Sequence, residues 1–187
     1  VIKASGEDLK RLKAMHFRSQ LGFVPQDVFL FSDTIFNNIA FGNSSATPEE
    51  IANAAQMAAL EPTLQQLPDG LQTLLGERGV TLSGGQKQRV SIARAILRKP
   101  KLYVIDDCLS ALDAKTEREI LENLLKITEN VSTVIVSHRI SSVANADCIL
   151  VLEQGEIVEM GTHEQLIEAN GFYAGIHARQ VQQEAVA

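Results

Sequence analysis

The sequence predicts an α/β protein with a mostly parallel sheet and a helical insertion, and three stretches carry that prediction. Leu102-Tyr103-Val104-Ile105-Asp106-Asp107 is a continuous apolar run ending in two carboxylates, the pattern of a buried parallel strand with acids at its carboxyl end. Thr133-Val134-Ile135-Val136-Ser137 reads as a second such strand and leads into His138, so two buried strands deliver acids and an imidazole to one edge. Ligands of open α/β sheets bind at that edge. Between these strands and the amino-terminal part lies Leu82-Ser83-Gly84-Gly85-Gln86, followed by Val90, Ala93, Ile96 and Leu97 at helical spacing. Two glycines at a helix start cost about 1 kcal/mol each against alanine, which points to something approaching the backbone closely. A phosphate fits, because a helix start offers unpaired N–H groups and a positive dipole end, and Ser83 adds a hydroxyl. An ordinary capping box between Ser83 and Gln86 is the other reading of the same residues.

The remaining elements are taken in chain order. Residues 20–24 form a short strand leading to Gln26, and Phe29-Leu30-Phe31 makes an exposed aromatic cluster just past it. Thr47-Pro48-Glu49-Glu50 starts a helix, with Thr47 as cap, Pro48 first in the helix and Glu50 reaching back. Ala52, Ala55, Ala59 and Leu60 supply its apolar face, and Pro62 and Pro68-Asp69-Gly70 punctuate the stretch after it. Residues 29–98 thus read as a helical insertion closed by Pro100, set against an α/β core of residues 1–28 and 99–187. Asp113 caps a helix that turns Ile120, Leu121, Leu124 and Leu125 inward. Residues 148–152 and 156–159 are strands joined at Gln154-Gly155, and Thr162-His163-Glu164-Gln165 caps another helix.

Composition narrows the class. Hydrophobic residues make up 45% of the 187, enough for a substantial core, and the net charge of −6 with no basic block disfavours nucleic-acid binding. Cys108 and Cys148 read as buried free thiols of a reducing compartment rather than a disulfide. No apolar run reaches the roughly 18 residues of a membrane span. His16, His163 and His177 lack the strand-end context of His138 and read as surface or capping residues.

Taken together, these motifs resemble the nucleotide-binding domain of ATP-binding cassette (ABC) transporters, most closely the exporter type. Residues 82–86 match the family's signature, residues 102–106 its Walker B strand, Ser110-Ala111-Leu112-Asp113 its D-loop, His138 its switch histidine and Gln26 its Q-loop glutamine. Gly76-Glu77-Arg78-Gly79 looks like the X-loop of exporters. The resemblance implies a P-loop NTPase-like core binding ATP and Mg²⁺. It gives Asp106 and Gln26 to the metal, makes Asp107, Gln26 and His138 the catalytic set, and gives Ser83, Gly84, Gly85 and Gln86 to the ATP of a partner domain. It also implies as partners a second nucleotide-binding domain and transmembrane domains, at the cytoplasmic face of a membrane.

Two departures matter. The phosphate-cradling motif G-x-x-x-x-G-K-[ST] is absent, since no lysine here directly succeeds a glycine. Val1-Ile2-Lys3-Ala4-Ser5-Gly6 resembles the strand after the Walker A helix, so the expectation is an amino-terminally truncated domain lacking the Walker A strand and helix, inactive by itself. Asp107 also stands where an active site of this family usually has glutamate, which points to a degenerate site and to one subunit of a heterodimeric exporter. Two other readings stay open. A soluble ABC-type ATPase of DNA repair or chromosome organisation would carry long coiled coils, and no sustained heptads occur here. A non-catalytic interaction module is permitted by the missing P-loop.

Overall fold

The computed structural model describes residues 2–4, 6–76, 82–109 and 112–186. The chain divides into two compact units, Val1–Val136 and Ser137–Ala187. In the first unit one continuous core runs from the helices to the sheet, joining Ile35, Ile39, Ile51 and Ile92 to Val24, Tyr103, Ile105 and Ile120.

The first unit opens with a two-residue ribbon, β1 (Lys3–Ala4) against β2 (Glu7–Asp8), and a short helix α1 (Ala14–Ser19). Its sheet has the order β3 (Leu21–Val24), β4 (Leu102–Asp106), β5 (Ser132–Val136), all parallel, with β4 central. Gly22 pairs with Tyr103, and a Cβ there would come within 3.0 Å of the Tyr103 ring and 2.7 Å of Pro100, so only glycine lets that ring lie across β3. Val24, Tyr103 and Ile105 are buried against the core. On the opposite face Phe23, Val134 and Val136 are 50%, 51% and 51% exposed. The expectation of two buried strands therefore holds for β4 alone. Among the described residues β5 pairs with β4 on one side only, and its alternate residues 132, 134 and 136 face away from the core.

The helices are started by local bonds. In α3 (Pro48–Met57) Thr47 accepts from the Glu50 amide at 3.2 Å while Glu50 accepts from the Thr47 amide at 3.0 Å. Its buried stripe is Ile51, Ala54, Ala55 and Ala58, the i, i+3, i+4, i+7 set. Ala52, expected inward, falls off that stripe and is exposed. Ala59 and Leu60 are buried as expected, but past the helix end, where Ala59 has φ +52°. Helix α2 (Ile35–Ala40) and the short α4 (Glu61–Gln65) flank it.

Helix α5 (Gly84–Leu97) buries Val90, Ile92, Ala93, Ile96 and Leu97 and ends where Lys99 turns left-handed (φ +47°) before Pro100. In α6 (Ala114–Thr128) Ile120 and Leu124 are buried, whereas Leu125 is 47% exposed. The expectation for Leu125 fails because five residues on from Ile120 points about 140° round the helix.

The second unit has α7 (Ile140–Val143), a hairpin of β6 (Ile149–Glu153) and β7 (Glu156–Gly161), α8 (His163–Glu168) and α9 (Phe172–Val186). Gln154 and Gly155 both have positive φ, +51° and +85°, the two-residue turn that suits the strand twist. Thr162 and Gln165 form a capping box, and the Glu159 carboxylate accepts from the amides of Phe172 at 2.6 Å and Tyr173 at 2.9 Å, holding the start of α9. Leu150 with Met160 and Leu152 with Ile157 are paired on a hairpin face that is exposed. Both cysteines are free, but only Cys108 is buried; Cys148, just outside β6, is exposed, contrary to expectation. Among the described residues, no helix is long and apolar enough to cross a membrane.

Candidate nucleotide site

Parallel pairing puts the carboxyl ends of β3 and β4 side by side, with Val24 opposite Ile105. Gln26, two residues beyond β3, and Asp106 and Asp107, at the end of β4, therefore leave the sheet at one edge. Gln26 is exposed and Asp106 half-buried. Asp107 is buried, has φ +39°, and its amide donates to the Val136 carbonyl at 2.8 Å. Aspartate tolerates this left-handed backbone better than most residues, and such strain clusters at functional sites. Cys108, next along, is buried, and burial pushes its thiol up to about 12. A buried, protonated thiol is inert, so Cys108 is packing rather than chemistry.

The set fits Mg²⁺. A carboxylate and an amide oxygen are hard donors, and Mg²⁺ is held by one or two carboxylates while phosphates and water complete its shell. Among the described residues no group of three or more His, Cys, Asp or Glu could hold a metal by itself.

His138 lies two residues past β5, in the second unit. Its side chain is exposed and its carbonyl accepts from Gln180 Nε2 at 2.7 Å. His163 opens α8, and its Nδ1 lies 2.8 Å from the hydroxyl of buried Tyr173. His163 also meets the His177 ring edge-to-face at 5.4 Å.

Residues 83–86 begin α5 as expected, and they also form the capping box. Ser83 Oγ accepts from the Gln86 amide at 3.3 Å and Gln86 Oε1 accepts from the Ser83 amide at 2.9 Å. The two readings are compatible, because Ser83 Oγ accepts in this bond and keeps its own proton to donate. Gly84 and Gly85 occupy the first turn, where N–H groups have no intrahelical acceptor. Among the described residues, a Cβ on Gly84 would meet nothing within 4 Å.

Of the expected D-loop, Leu112 is buried and Asp113 caps α6 by accepting from the Thr116 amide at 3.0 Å, which lowers its carboxyl below the usual range. Ser110 and Ala111, and residues 77–79 of the expected X-loop, lie outside the described residues.

Sequence reasoning passed over Asn38 and Arg94, which hold the segment just after Gln26. Phe29 and Phe31 are exposed as expected, and they pack edge-on at 5.1 Å, with Phe41 4.9 Å from Phe31. The available signal was an arginine set within the apolar stripe of α5.

Residues 1–110 match the family model described as ABC transporter. The chain belongs to the ABC transporter family. Relatives include the mitochondrial ABC transporter B family member 24 of Arabidopsis thaliana, 46% identical over 96% of this chain and 26% of its own length. ATP-binding cassette sub-family B member 6 of Xenopus tropicalis is 48% identical over 96% of this chain and 21% of its own. The probable multidrug resistance ABC transporter ATP-binding/permease protein YheI of Bacillus subtilis is 45% identical over 96% of this chain and 31% of its own. This ABC chain thus spans between a fifth and a third of these relatives. The solved structure of a bacterial Atm1-family ABC exporter with ATP bound superposes with a TM-score of 0.90 at 43% identity, over 94% of this chain and 31% of that one. The fold is that of an exporter's nucleotide-binding domain, the P-loop NTPase class expected from the sequence.

Proposed function

We propose that this chain is the ATP-driven motor part of an ABC exporter, held at the cytoplasmic face of a membrane by transmembrane domains and paired with a second nucleotide-binding domain belonging to a different subunit. Two such domains close around ATP and reopen after hydrolysis, and substrate crosses the membrane as they do. Within the chain, residues 29–98 act as the helical subdomain carrying the signature, and residues 1–28 and 99–187 as the ATP-binding core. Asp106 and Gln26 hold Mg²⁺, which when bound offsets the charge of the β- and γ-phosphates. His138 contacts the γ-phosphate, and Asp107 orients the attacking water from an arm one methylene shorter than glutamate. A reach short by about 1 Å costs on the order of 10²-fold in rate, so this chain's own site holds ATP longer than it hydrolyses it.

The observation that carries the reading is the start of α5. Its first-turn amides lack intrahelical acceptors, and among the described residues nothing would exclude a side chain at Gly84. A helix start built this way suits an anion brought by another subunit. Ser83 to Gln86 then act on the partner's ATP.

The test is single-turnover hydrolysis in the reconstituted pair. Ser83→Arg should abolish turnover at the partner's site although Asp106 and Asp107 are untouched, and Asp107→Ala should leave that site working. Normal turnover with Ser83→Arg, together with loss in Asp107→Ala, would place catalysis on this chain and remove the degenerate-subunit reading.

A further inference from the structure

Asn38 and Arg94 join the segment after Gln26 to the helix that begins at Gly84. Asn38, fully buried in α2, behaves like the edge of a strand toward Phe31: its Oδ1 accepts the Phe31 amide at 2.8 Å and its Nδ2 donates to the Phe31 carbonyl at 3.1 Å. The same Nδ2 donates to the Thr34 carbonyl at 2.9 Å. Arg94, from the middle of α5, then grips both partners. Its Nε donates to the Asn38 carbonyl at 2.9 Å, one Nη to Asn38 Oδ1 at 3.2 Å, and the other Nη to the Phe29 carbonyl at 3.3 Å. The guanidinium carbon sits 5.8 Å from the Phe31 ring centroid and 5.5 Å from that of Phe41. The backbones close as well: a Cβ on Gly42 would collide with the Arg94 carbonyl oxygen, so glycine is needed for α5 to approach the end of α2 this closely.

This is an expensive way to hold two helices together. Burial disfavours the charged guanidinium, and the groups it contacts are neutral carbonyls and aromatic rings. An apolar side chain would pack α5 against α2 without that penalty. What a planar fork of fixed donors adds is a set relation between separate pieces of chain, here Phe29, Asn38 and α5.

We infer that Arg94 is a positioning residue: it makes residues 29–41 and α5 one lever, so that a displacement at Gln26 arrives at Ser83 and Gly84. Gln26 is three residues from Phe29, and Gly84 is ten residues, about 15 Å of helix, from Arg94. The lever thus connects the residue assigned to this chain's own nucleotide with those assigned to the partner's, and it rests on that assignment.

Two measurements test it. In the 187-residue chain, the amide of Phe31 lies outside regular secondary structure but should exchange with solvent as slowly as the core amides of α5; exchange at the rate of an open loop would overturn the inference without any variant being made. In the assembled exporter, Arg94→Lys keeps the charge and loses the fork. It should leave the affinity for a fluorescent ATP analogue within about twofold while slowing the single-turnover rate constant at the partner's site by about tenfold or more, as expected when reacting groups are misplaced by a fraction of an ångström. A folding defect would lower the amplitude of that exponential but not its rate constant. An unchanged rate constant in Arg94→Lys, with Ser83→Arg slow, would sink the lever alone. An unchanged rate constant in both would remove the assignment of Ser83 and Gly84 to the partner's ATP, and the lever with it.

Discussion

The amide of Asp107 donates to the carbonyl of Val136 at 2.8 Å, tying the residue after Asp106 to the last residue of the neighbouring strand. With φ at +39°, the Asp107 backbone is held in a conformation that few side chains favour. The Asp107 backbone is therefore fixed by the sheet.

Asp107→Glu should then raise single-turnover hydrolysis at this subunit's own site, by up to about 10²-fold, since it adds the missing methylene to a backbone already fixed. Glutamate accepts left-handed backbone less readily than aspartate, so a stability loss of about 1 kcal/mol should accompany the gain. Quenched-flow hydrolysis and denaturant unfolding measure the two effects; an unchanged rate would show that arm length is not the defect.

Gly84→Asp should separate stability from function. Among the described residues a Cβ at Gly84 meets nothing within 4 Å, and an acid in the first turn of a helix gains about 0.3–1 kcal/mol from the dipole. The melting temperature of the 187-residue chain should hold or rise. In the assembled exporter the same carboxylate would meet the γ-phosphate, and turnover at the partner's site should fall by about 10²-fold or more.

The two thiols should react differently. Cys148 is exposed and should label with maleimide within minutes at pH 7.5, while Cys108 should label only on unfolding. Because burial raises the Cys108 thiol from 9.0 to about 12, the native state keeps a proton that the unfolded chain releases above pH 9. Stability from this group is fully present below pH 9 and is lost as pH rises from 9 to 12, at up to about 1.4 kcal/mol per pH unit. Cys108→Ala should flatten that part of the stability profile, as read from urea midpoints at pH 8, 9 and 10.

Calorimetry of the 187-residue chain with Mg·ATP should give a dissociation constant weaker than about 100 µM. The G-x-x-x-x-G-K-[ST] cradle that would hold the phosphates is absent from these residues, and the proposed Gln26 and Asp106 would reach them only through Mg²⁺. Micromolar affinity would overturn this expectation.

The uncovered apolar faces predict dye binding and low stability. Phe23, Val134 and Val136 in the first unit, and Leu150, Leu152, Ile157 and Met160 in the second, are each about half exposed or more. The chain should bind an anilinonaphthalene dye in its native state and melt below about 60 °C. A dye-free native state would count against exposure of these faces in solution.

The features readable in the sequence are those made by neighbours in the chain. The caps at Thr47, Ser83, Asp113 and Thr162 each bond to the amide three residues on, and the turn at Gln154-Gly155 joins adjacent strands, so residue type and spacing suffice to find them. The apolar run of residues 102–105 likewise announces a strand, though the similar run of β5, whose Val134 and Val136 are half exposed, shows that such a run does not by itself say which strand is covered. What the tertiary structure decided depends on partners far along the chain. Whether β5 is covered, whether Leu125 and Cys148 face outward, and where the positive charge of Arg94 goes are settled by packing between elements. Arg94 reaches Asn38 and Phe29 across 56 and 65 positions, a distance over which no local pattern survives. Local hydrogen bonds write themselves into spacing; a buried charge cradled by distant carbonyls is specified only once the chain has folded around it.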